Sequence, residues 1–102
     1  MMLRRHFLSA AAGALAPDGE LDLFRMVRPV PRSAVLRDER YYIWCGAPIR
    51  SDNGRYHLYY SRWPRELGHN AWVTHSEIAH AVADRPLGPY KHRDVALPAR
   101  GK

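Results

Sequence analysis

Residues 52–63 read DNGRYHLYYSRW, and the fold is decided here. Asn53-Gly54 is the strongest short hairpin signal, because a two-residue type I′ turn needs positive φ at both central residues. The stretch that follows, 55–62, alternates: Tyr56, Leu58 and Tyr60 fall on one side, His57, Tyr59 and Ser61 on the other. That is the period of a strand. Working back, residues 41–45 (YYIWC) are aromatic and branched, as strands prefer, with Gly46 and Pro48 expected to limit regular pairing. Cys45, the one cysteine, is expected to act as a small buried hydrophobe; alone, it excludes an internal disulfide and a thiolate zinc site.

Working forward, residues 63–70 form a polar connection broken by Pro64 and Gly68. A third strand is expected at about 71–82 (AWVTHSEIAHAV), with Trp72, Thr74, Ser76, Ile78, His80 and Val82 on one side. Ile78, Ala81 and Val82 also fit a helical stripe over 76–84, but the branched and aromatic residues before it and the turn after it favour the strand. Asp84 to Pro89 reverses the chain, since Pro86 and Pro89 bracket Leu87-Gly88. A last strand, Tyr90 to Val95, completes an all-β, four-stranded antiparallel meander over residues 41–102. Residues 17–40, with Pro17, Pro29 and Pro31, read as an irregular lead-in, in which ELDLFRMVR (20–28) fits either a short helix or a strand.

The start, MMLRRHFLSAAAGALA (1–16), carries Arg4-Arg5, an apolar run from Phe7 to Ala16, and small residues, the layout of an export signal. RRHFL follows the twin-arginine version of such signals. The run falls short of the ~20 apolar residues that span a bilayer, so no membrane association is expected after removal of the signal. Ala14-Leu15-Ala16 offers a cleavage site, with the unfavourable Pro17 behind it. Beyond residue 16, 14 Lys and Arg stand against 10 Asp and Glu, a net charge of +4. These cations are spread along the sequence rather than clustered, which argues against nucleic acid as a partner.

The order strand, Asn-Gly hairpin, tyrosine-rich strand, long loop, Trp-containing strand, then a Pro-Leu-Gly-Pro-aromatic turn resembles the first blade of the five-bladed β-propeller glycosidases of families 43 and 117. The residues that carry the resemblance are GRYHLYYSRW (54–63), the Trp72 to Ala81 strand and AVADRPLGPY (81–90). It implies one blade of a propeller, a twisted four-stranded sheet covered by a neighbour on each face. The chain would then be an N-terminal part of an exported glycoside hydrolase, inactive alone, whose partners are a carbohydrate substrate and the C-terminal blades of the parent enzyme. Trp44, Tyr56, Tyr60, Trp72 and Ile78 would face water until those blades cover them. A reading from another class is a small exported β-sheet binding module.

Glycosidases of this kind need two carboxyl groups flanking the scissile bond, one protonated and one ionised. The resemblance places the base in an Asp-Pro pair on the innermost strand, where this chain has Ala47-Pro48. Glu77, the one acid inside the expected third strand, is then the candidate catalytic residue, and Asp52 belongs to the turn. Sugar binding uses flat apolar faces and forked donors, which Arg62, Trp63, His69, Trp72 and His75 supply. His69, His75 and His80 are spaced neither as a helical pair nor as a zinc finger, so no metal and no cofactor are expected.

Overall fold

The computed structural model describes residues 19–101; the expected signal segment, residues 1–16, lies outside the described residues. Four strands, β1 (Tyr41–Arg50), β2 (Tyr56–Pro64), β3 (Glu77–Ala83) and β4 (Lys91–Leu97), form one sheet in the order β1-β2-β3-β4. Every neighbouring pair is antiparallel, so the chain is an all-β meander. Short helices lie outside the sheet: α1 (Leu23–Met26) in the lead-in, and α2 (Trp72–His75) before β3. The lead-in therefore takes the helical option at 23–26, where the Asp22 side chain accepts from the Arg25 N–H.

The β1–β2 hairpin differs from the expected two-residue turn. Ser51 N–H donates to Arg55 C=O and Gly54 N–H to Ser51 C=O, enclosing Asp52, Asn53 and Gly54 in a three-residue loop. Only Gly54 takes a positive φ, +83°. A type I turn closed by one left-handed glycine needs no such strain at Asn53, and Asn53 instead accepts the Arg55 N–H through its side chain.

β1 also runs further than expected, through Gly46 and Pro48 to Arg50. Its register against β2 shifts between Trp44 and Ala47, so Cys45 and Gly46 together oppose Tyr60. This β-bulge leaves Cys45 at φ +54° and exposed, not buried as its strand-like surroundings suggested. Pro48 is tolerated because β1 is an edge strand. The third strand begins only at Glu77; Trp72 to His75 coil into α2, so Trp72 and Thr74 do not share a strand face with His80 and Val82. Three-residue helical turns at Arg65–Leu67 and His69–Ala71 lead into α2, and their curvature carries on through it.

The two faces of the sheet have different fates. On one, Tyr60, Ala79 and Ala81 are buried beneath Leu36, Ile43, Leu58 and Tyr90, so the chain's own lead-in and its β3–β4 turn cover this side. Tyr60, expected to face water, is 2% exposed. The other face has no such cover: Trp44 and Trp72 remain 53% and 52% exposed. We refer to these as the covered and the open face.

Candidate functional site

Pairing register sorts the expected site residues between the faces. Arg62 pairs with Glu77 across β2 and β3 and with Ile43 across β1 and β2, which puts both Arg62 and Glu77 on the covered face. The Arg62 Nε–H donates to Glu77 Oε1 at 2.8 Å, and its guanidinium lies 4.1 Å from the centre of the Tyr41 ring. Arg62 is buried and Glu77 mostly so. This charge-assisted hydrogen bond takes up Glu77 Oε1 within the sheet, on the face away from Trp63 and Trp72.

Trp63, His69 and Trp72 gather on the open face. The Trp63 ring meets Tyr42 at 5.4 Å, Trp44 at 5.7 Å and His69 at 5.9 Å between centroids. The last two contacts are edge-on, the arrangement that ring quadrupoles favour. Trp63 is thereby 1% exposed although it lies on the uncovered side. Beside it opens a cleft of about 340 Å³, lined by Trp44, Cys45, Ser61, Trp63, Trp72 and Ser76. Its wall is aromatic, with two hydroxyls, and Trp63 Nε1 is buried with no hydrogen-bond acceptor among the described residues. His75, the fifth expected binding residue, is exposed at the end of α2 with Nδ1 2.7 Å from Thr74 Oγ1, and is not among the lining residues.

Trp44 and Cys45 were missed as site residues because they reach the cleft through the bulge. Without the extra residue, strict alternation would put Trp44 and Ala47 on opposite faces; with it, both pair with open-face residues, Ser61 and Tyr59. The glycine at 46 was the available signal.

On the covered face, Tyr60 and His92 form a hydrogen bond of 2.9 Å between the phenol oxygen and Nδ1. Burial pushes the Tyr60 hydroxyl above its ordinary value. Burial, then the nearby Arg62 charge, push the His92 ring below its own. The phenol thus keeps its proton and donates to a neutral imidazole. Asp38 is held below the usual carboxylate range by its hydrogen bonds from Arg40.

The cations, spread along the sequence, partly converge in space. Arg55, Arg85, Lys91 and Arg93 line a groove of about 490 Å³ at the far end of the sheet, with Asp84 their one acidic neighbour there. A larger cavity of about 710 Å³, between the lead-in and β1, contains none of the expected site residues. Among the described residues no three His, Cys, Asp or Glu side chains come together as metal ligands, and no helix is long and apolar enough to cross a membrane. No family model, curated protein or solved structure matches this chain.

Proposed function

We propose that this chain binds carbohydrate through the tryptophan-walled cleft of its open face, and does so as a blade-like unit of an exported propeller glycoside hydrolase, without catalysing hydrolysis itself. The observation that carries the reading is the cleft. Two half-exposed indoles, Trp44 and Trp72, flank it, and Ser61 and Ser76 add hydroxyls. A pyranose presents flat C–H faces and a rim of hydroxyls, and an apolar wall with a few fixed polar groups is the usual form of a small-ligand site. Glu77 is assigned to its ion pair with Arg62 rather than to bond cleavage.

The test is titration of neutral oligosaccharides into the whole chain, followed by NMR amide shifts. Shifts are expected around Ser61, Trp63, Trp72 and Ser76, with affinity falling at least tenfold (about 1.4 kcal/mol) in Trp72→Ala. Shifts elsewhere, or none, would remove the reading. Glycosidase activity in the isolated chain that disappears in Glu77→Gln would restore Glu77 as catalytic. The self-standing binding module is a second reading, favoured by the lead-in, which already covers one face. Cooperative unfolding as a monomer would select it over the blade. Export rests on Arg4-Arg5: replacing both with lysine should stop residues 1–16 from exporting a folded reporter.

A further inference from the structure

Away from the cleft, four side chains form one hydrogen-bonded line across the open face, running from β4 to the end of β1. Asp94 Oδ1 lies 2.9 Å from His80 Nδ1, His80 Nε2 lies 2.8 Å from His57 Nδ1, and His57 Nε2 lies 3.3 Å from Ser51 Oγ. The two imidazoles are within 10° of parallel, with centroids 5.0 Å apart. With nitrogens only 2.8 Å apart, rings so arranged meet edge to edge in a common plane rather than stacking.

Counting protons along this line gives an excess. A carboxylate only accepts, so His80 Nδ1 carries a hydrogen. At the other end, Ser51 Oγ donates to Asn53 Oδ1, which also accepts the Arg55 N–H at 3.0 Å and is therefore the amide oxygen. The other neighbour of Ser51 Oγ, Arg55 C=O at 3.2 Å, accepts as well. The single hydroxyl proton is thus committed, and His57 Nε2 must donate to Ser51. Each neutral imidazole has one N–H. Two neutral rings would therefore point bare lone pairs at each other across 2.8 Å.

We propose that one additional proton lies between His57 Nδ1 and His80 Nε2, and that Ser51, His57, His80 and Asp94 form a proton-transfer site. The pair carries one positive charge beside the Asp94 carboxylate. When His57 Nε2 gives its proton to a basic oxygen or nitrogen of a ligand at the Ser51 end, the shared proton moves fully onto His57 Nδ1. Both rings are then neutral, and His80 Nε2 is the bare acceptor. A proton from water restores the charge.

Across a tetrahedral zinc ion two imidazole nitrogens would stand ~3.3 Å apart. The observed spacing fits a proton instead. Other groups facing the pair are Tyr59, stacked on His80 at 4.8 Å, and Lys91, which pairs with Val82 beside His57. β1 places Ala47 and Ile49 opposite Tyr59 and His57.

The test is NMR of the whole chain with ¹⁵N-labelled histidine. A through-bond coupling between His57 Nδ1 and His80 Nε2 is expected, and both rings should follow one common titration curve. In His57→Gln, His80 should lose the coupling and titrate alone. Absence of coupling together with two independent curves in the unaltered chain would overturn the proposal, whether or not the variant folds. Zinc bound one-to-one and lost in both His57→Gln and His80→Gln would overturn it too, by putting a metal where the proton is proposed.

Discussion

Arg62 sits on the covered face with its Nε–H on Glu77 and its plane on the Tyr41 ring. Removing it strands a mostly buried carboxylate, so Arg62→Met should cost about 3 kcal/mol in urea unfolding. The double variant Arg62→Met/Glu77→Met should recover much of that loss. His92 makes a pH prediction. Burial and Arg62 depress its pKa when folded, so below the unfolded value of about 6.5 the unfolded chain binds more protons. Stability should therefore fall as pH drops through and below about 6.5, and the slope should be shallower in His92→Gln. At this scale Glu77 was visible from the sequence as the one acid in the third strand. Its partner was not, because the Arg62–Glu77 contact exists only through the register of β2 on β3. The histidine line was hidden for the same reason: His57 and His80 are 23 positions apart.

Among the elements, the glycine-bearing turns carry the sharpest tests. Gly54 takes φ +83°, with open space where a side chain would begin apart from the Arg50 guanidinium. Gly54→Ala should cost about 1 kcal/mol, the left-handed penalty alone. At Gly88, φ +85°, a Cβ would stand 2.8 Å from Tyr90 N and 3.0 Å from Ser33 C=O. Gly88→Ala should cost more, about 2–3 kcal/mol, because it also pushes the lead-in away from the β3–β4 turn. Denaturant midpoints of the two variants give the comparison. The meander and its order were readable because alternation and turn residues agree from Tyr41 to Val95. The start of β3 was not. Trp72, Val73 and Thr74 have strand propensity, yet the helical turns begun at Arg65 and His69 continue through them.

The whole molecule has a thin core. Among the described residues the buried apolar ones are Tyr60, Trp63, Val82 and three alanines, while Phe24 and Leu23 in the lead-in are 93% and 61% exposed. The radius of gyration is 18.2 Å, against about 13 Å for a compact domain of 100 residues. Little apolar area is removed from water, so association that covers the open face should stabilise the chain by mass action. The thermal midpoint is expected to rise with protein concentration, and Trp44→Ser should weaken that dependence. An unchanged midpoint across a hundredfold range would show that the sheet is stable without a partner.

The unequal shielding of the three indoles also gives the chain a built-in optical gauge. Light absorbed by Trp63 is emitted from a dry enclosure, whereas Trp44 and Trp72 emit at the water boundary. Acrylamide should therefore quench about two thirds of the fluorescence readily and leave a blue-shifted remainder. A molecule lodged between the two outer rings would protect the quenchable fraction and leave the remainder unchanged, so occupancy can be followed without any label.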